Sequence, residues 1–192
     1  MKTTKTLAIA AILYFAIFLF ARRQVPSHAE QLFRGVSDLS SAIATSKQEL
    51  NTTTIFAPEG STVEQITPDR FITPLVVISG TEKNPITFNN IAVYERQHGT
   101  IPAGAVVAFQ TGAPDAPEVL EFLVQARHIY GVSLPTNASS TIVKAAEHNG
   151  LYVLTNLQEV STLPRADSIL IVAPLKTAGA TSAPARVFAL LR

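Results

Sequence analysis

The chain has 192 residues, 47% of them apolar and 15% charged, with a formal net charge of +1 and no cysteine. That length holds one domain of ordinary size plus a short extra segment. A near-neutral balance offers no basic surface for nucleic acid, and the missing thiol excludes disulfides, thiolate zinc sites and cysteine nucleophiles together.

At the start of the chain, Lys2 and Lys5 precede an uncharged apolar run over residues 7–21, which Arg22 and Arg23 close. As a helix this run spans roughly 22 Å at 1.5 Å per residue. It falls short of the ~30 Å hydrocarbon core, but flanking threonines and snorkelling cations can extend it. Residues 1–23 are therefore expected to form a hydrophobic helix, either a retained membrane anchor or an export signal. Ser27-His28-Ala29 offers a small-x-small cleavage pattern, which Arg22 and Arg23 disfavour. The expected location is at a membrane through this single helix, or outside it after cleavage, and charge on both flanks leaves the orientation open. Residues 24–37 are read as a linker and residues 38–192 as the folded domain.

Five apolar runs follow, at 74–79, 105–111, 151–155, 168–173 and 185–191. Their apolar residues continue without alternation, so they are read as strands mostly buried on both faces. Between them, a helix over 89–98 carries Ile91 and Tyr94 inward and stops at Gly99. Ile101-Pro-Ala-Gly104 is a turn feeding a central strand. Asp115-Ala-Pro-Glu118 supplies an N-cap, an early proline and a capping-box glutamate for a helix whose apolar face is Val119, Phe122, Leu123 and Ala126. A third helix over 140–148 ends before Gly150. The fold class is α/β, a mixed β-sheet with flanking helices.

Three blocks in this order resemble the cyclase family of kynurenine-formamidase-like, metal-dependent hydrolases. The first, IAVYERQHGTIPAGAVVAFQTG from Ile91, is similar to the family's tyrosine-glutamate pair, His-Gly and Ile-Pro-Ala-Gly. NGLYVLTNL from Asn149 resembles its Gly-Ile-Tyr-x-x-Glu-Asn-Leu segment, and ILIVAPLKTAGATSAPARVFALL its closing signature. The resemblance implies a swivelling β/β/α fold. It also implies an arylformamidase activity that hydrolyses N-formylkynurenine-like amides in tryptophan catabolism, with zinc or manganese as cofactor.

The residues that carry this chemistry depart from the family pattern. The family holds its metal through His-x-x-x-His-x-Asp-x-Pro, so that a bound water becomes hydroxide near neutral pH. With Ala57-Pro58 aligned on the family's Ala-Pro, Leu50 and Thr54 stand at the two histidines and Phe56 at the aspartate. A later histidine falls near Val143, and the glutamate of the Gly-Ile-Tyr block becomes Thr155. These five positions mark a vestigial pocket, for which no metal and no catalytic residue is expected.

Other polar residues remain open. Lys176 and Arg186 either hold an anionic ligand or pin the loop at 179–182; His148 either faces the old pocket or ends its helix at the surface. His98 and His128 are read as helix-end residues. Three readings follow. The first is a membrane-tethered, non-catalytic pseudoenzyme that binds a small molecule or a protein partner. The second is a working metal-dependent amidohydrolase whose ligands are unaligned or partner-supplied. The third is a structural subunit, as a homo-oligomer or beside a catalytic paralogue.

Overall fold

A computed structural model describes residues 33–41, 52–80 and 85–192. The expected N-terminal helix and Leu50 lie outside these residues. No helix among the described residues is long and apolar enough to cross a membrane. Gly35–Arg192 forms one compact unit.

Eight strands form one mixed sheet: β1 (Gly35–Asp38), β2 (Thr54–Phe56), β3 (Ile72–Ile78), β4 (Val106–Phe109), β5 (Gly131–Leu134), β6 (Tyr152–Thr155), β7 (Ser168–Pro174) and β8 (Ser182–Leu191). Their order is β1-β8-β2-β6-β5-β4-β3-β7. β7 pairs with β8 from Ser168↔Leu191 to Pro174↔Ala185, and this pairing closes seven of the strands into a barrel. β3, β4, β5 and β6 run parallel. Three helices, α1 (Phe88–His98), α2 (Pro117–Arg127) and α3 (Ser140–His148), connect them in turn.

The barrel interior is filled by residues such as Leu75, Val106, Tyr152, Leu154, Leu170 and Val187. A second core, including Val76, Val107, Leu123, Val132, Ile142 and Val153, lies between the helices and the outer wall. β4 and β5 are therefore buried at every residue, as the unbroken apolar run of β4 predicts, while β5 is a strand that the sequence reading did not include.

The expectation of burial on both faces fails for β7 and β8. Both alternate, with Leu170, Val172, Val187 and Ala189 buried and Ile169, Ile171, Phe188 and Leu190 only half-buried. Three residues of the stretch read as linker, Gly35–Ser37, belong to β1. The helix at 117–127 is capped by Ala116 without a side-chain bond, so Asp115 is not its N-cap. Leu120 is buried on that helix and Ala126 is exposed, which shifts the expected apolar face by part of a turn.

The other two helices match their expected ends. α1 stops at Gly99, whose φ of 87° suits a residue without Cβ. α3 starts at Ser140 and ends before Gly150, and it is capped by Ser139, whose hydroxyl accepts from the Ile142 amide at 3.3 Å. Ser139→Ala is expected to lower stability by about 1 kcal/mol in urea denaturation, with an unchanged m-value.

Candidate functional site

The carboxyl ends of parallel strands leave backbone groups and loop side chains facing a crevice, the usual place for a ligand in such sheets. Here β4, β5 and β6 end together at a cavity of about 900 Å³. Phe109, Gln110 and Thr111 continue β4 into it, Ser133 to Thr136 continue β5, and Asn156 to Ser161 follow β6. Asp38, Ser40 and Ser41 supply the opposite wall. The lining is dominated by neutral hydroxyl and amide groups, with Asp38 and Glu159 as its two carboxylates.

The wall at Ser41 is built where β1 and β2 meet end to end along β8. Leu39 donates to Val187, the Val187 amide donates to Ser40 Oγ at 2.8 Å, and the Ala185 amide donates to Thr53 O. The buried Thr53 hydroxyl accepts from the Ser41 amide at 2.8 Å and donates to the Asn156 carbonyl at 3.0 Å. Asn156 adopts φ 59° and donates from Nδ2 to Thr52 O at 3.1 Å, so three separate chain segments are tied at one point. Asp38 accepts from the Ser40 amide, which with the Ser40 hydroxyl and Arg186 holds its carboxyl below the usual range.

Thr54 stands directly opposite Thr155 in the β2–β6 ladder. The two positions aligned with a histidine and a glutamate are thus brought together. The Thr54 hydroxyl donates to Thr52 O at 3.0 Å. Phe56, on the same face, packs with Val143 of α3 against the helix-side core. Hydroxyls, a phenyl ring and an isopropyl group do not replace imidazoles and carboxylates around a divalent cation, so this donor set does not fit the metal implied by the family. Among the described residues, no three or more histidine, aspartate or glutamate side chains gather as a metal-ligand set.

The other singled-out residues sit elsewhere. His148 ends α3 at the surface, where Nδ1 lies 2.7 Å from Glu59 Oε2. Arg186 bonds Asp38 at 3.1 Å and lies over the Phe188 ring. Lys176 is exposed in the loop between β7 and β8, which is pinned instead by the Gly179 amide donating to Glu64 Oε1 at 3.0 Å. His128 caps α2 in the left-handed conformation, and His98 ends α1 against the Tyr94 ring. Ser133, within β5, and Thr136, just after it, carry no signal in the sequence.

Glu95, in the tyrosine-glutamate pair of the first block, has a structural partner. It accepts from Arg127 Nε at 2.6 Å and Nη2 at 2.9 Å, and from the Ile101 amide at 3.1 Å. The Arg127 hydrogen bond, aided by Ile101, holds its carboxyl below the ordinary value. Because the folded pKa is the lower one, the unfolded chain takes up the proton first. The stabilisation is complete above the unfolded carboxylate range and is lost as pH falls through the folded pKa. Glu95→Gln is expected to lower stability by about 1 kcal/mol at pH 7 and to flatten the acid limb of a Tm-against-pH curve.

The Cyclase family model matches residues 39–144, more than half of the chain. The fold is similar to that of isatin hydrolase A from Ralstonia solanacearum, with 24% identity over 88% of this chain and 86% of that one and a TM-score of 0.67. Isatin hydrolase A from Labrenzia aggregata bound to benzyl benzoate is 25% identical over 82% of each chain, with a TM-score of 0.66. A potential metal-dependent hydrolase with cyclase activity is 22% identical over 82% of this chain and 98% of that one, with a TM-score of 0.63. No curated protein sequence matches the chain.

Proposed function

Because the chain belongs to the cyclase family, we propose that it uses the family's fold as a membrane-tethered binding protein that takes a small neutral amide without a metal. The observation that carries this reading is the cavity at the ends of β4, β5 and β6, lined by hydroxyls and side-chain amides beside the Thr54–Thr155 pair. Such groups donate to a carbonyl and accept from an N–H with no charge to desolvate. An isatin-like molecule, or the formamide end of an N-formylkynurenine-like one, presents both, together with a flat ring that suits Phe109 and Leu134. The tether is the apolar run at 7–21 with its flanking cations.

The test is metal analysis of the purified full chain beside calorimetric titration with isatin and with N-formylkynurenine. The expected result is saturable binding of one of them by metal-free protein, with no product formed. Thr136→Trp, at the exposed rim of the cavity, is expected to weaken that binding at least tenfold, about 1.4 kcal/mol. Stoichiometric zinc or manganese together with turnover would overturn the reading in favour of an active amidohydrolase. Turnover that arises only when a catalytic paralogue is added would assign the chain a subunit's role instead.

A further inference from the structure

The charges around the cavity at the ends of β4, β5 and β6 are all of one sign. Among the described residues no lysine, arginine or histidine lines it, whereas Asp38 and Glu159 do. Asp38 is already engaged. Its Oδ1 accepts from the Ser40 amide at 3.0 Å, and its Oδ2 from Arg186 Nε and Nη2 at 3.3 and 3.1 Å. Arg186 lies over the Phe188 ring and is not part of the cavity lining. Glu159 differs. It is exposed at the cavity rim, and its carboxylate has no hydrogen-bond or ion-pair partner among the described residues. The Thr162 amide and hydroxyl both donate to Glu159 O, at 2.9 and 2.8 Å, and hold the residue at φ 54°. That left-handed backbone suits glycine or asparagine better, so position 159 carries its carboxylate in spite of the local conformation.

Hydrogen-bond donors are supplied just as unevenly. The hydroxyls of Ser40 and Thr111 donate to Val187 O and Gly80 O, and Gln158 Nε2 donates to Asn156 O. Gln110 keeps a donor. Arg165 can only donate to Ser79 Oγ, so the Ser79 proton goes to Gln110, whose accepting atom is therefore Oε1. Gln110 Nε2 is thereby left for a ligand carbonyl. Ser133, only 3% exposed, lines the cavity with a hydroxyl that has no partner among the described residues. It can accept from a ligand N–H. A carboxylate entering the same space meets neutral donors, no cation and the charge of Glu159, so its desolvation is not offset. We infer that the cavity selects its ligand by charge: it takes an uncharged cyclic amide of the isatin type and excludes carboxylates, with Glu159 setting the sign. This rests on the reading of the cavity as an amide site and narrows it. N-formylkynurenine carries an amino-acid carboxylate and is the poorer ligand. Water added across the C–N bond of a cyclic amide opens the ring to an amine and a carboxylate, and that acid is not held. The chain therefore holds its ligand ahead of an amide-hydrolysing step and releases what such a step produces.

Calorimetric titration of the full chain at neutral pH separates charge from shape. The probes are isatin, isatinate (its ring-opened carboxylate), the methyl ester of isatinate, and N-formylkynurenine. Isatin and the ester are expected to bind with similar affinity, and isatinate and N-formylkynurenine roughly tenfold more weakly. Glu159→Lys should bring isatinate to within about threefold of isatin, and Glu159→Gln should close part of the gap. Isatinate or N-formylkynurenine binding as tightly as isatin to the unaltered chain overturns the inference and leaves the amide site standing. An ester excluded as strongly as the acid makes shape the discriminator and overturns it as well. A gap that neither substitution moves overturns the role of Glu159. Binding of none of the four probes overturns the amide site and the inference together.

Discussion

Gly131→Ala is expected to destabilise the protein by about 2–3 kcal/mol, although alanine is usually the milder choice in a folded chain. Gly131 lies opposite Tyr152 in the β5–β6 ladder. A Cβ added there would meet Tyr152 Cε2 at 2.7 Å and its Cδ2 and Cζ at 2.8 Å. The ring has little room to withdraw, because Tyr152 is fully buried in the barrel and packs against Phe71. Its hydroxyl also donates to Arg70 O at 2.9 Å. Burial pushes the phenol pKa up, so it remains a neutral donor across the physiological range. Urea denaturation should show a lower midpoint with little change in m-value. In the background of Tyr152→Leu, the same glycine substitution should cost much less, a non-additivity that two residues in contact must show. Equal losses in both backgrounds would mean that the close approach is not what requires glycine.

That contact illustrates what the sequence reveals and what it conceals. The Gly-Leu-Tyr block marks Tyr152 through family resemblance, yet nothing in it points back to Gly131, some twenty residues earlier. Helix ends were legible because their signals are local: Gly99 and Gly150 sit beside the turns that need them. Asp115 misled for the same reason, since a competent capping residue one position early looks identical in sequence. β2 has three residues and β5 is Gly-Val-Ser-Leu, both too short for a period to emerge. Barrel closure was hidden more deeply. An apolar run reports burial, whereas closure depends on β8 pairing with β7 on one edge and with β1 and β2 on the other. β7 and β8 read as doubly buried because their outer residues are apolar too, and only the structure shows that face without a helix over it.

The same limit applies to the candidate site. Ser41, Ser133 and Asn156 line one cavity from positions spread over more than a hundred residues, so no spacing links them. Resemblance did link Thr54 with Thr155 as replaced ligands, and the register sets them directly opposite each other. The register shows that these two positions are neighbours, and their present side chains do not suit a metal.

That juxtaposition leads to the largest expected change. A chain carrying Leu50→His, Thr54→His, Phe56→Asp and Thr155→Glu is expected to bind zinc with a Kd on the order of micromolar, about 8 kcal/mol. Thr54 and Phe56 share a face two residues apart, and a directly opposed pair such as Thr54 and Thr155 has Cβ atoms about 4.5–5.5 Å apart. Imidazole and carboxylate groups from these positions can therefore converge on one ion at bond lengths near 2.1 Å. Phe56→Asp also removes a ring packed against the helix-side core, at a loss of about 2–4 kcal/mol in metal-free protein. A hundredfold excess of zinc over Kd returns about 2.7 kcal/mol, so Tm should fall on substitution and rise again only when zinc is added. Calorimetry and bound-metal analysis would follow both effects in one preparation. A folded variant that takes up no zinc and shows no zinc-dependent rise in Tm would place the family's ligand positions elsewhere than the β2–β6 pair. The alignment behind Thr54 and Thr155 would then fail, while the barrel and its cavity would stand unchanged.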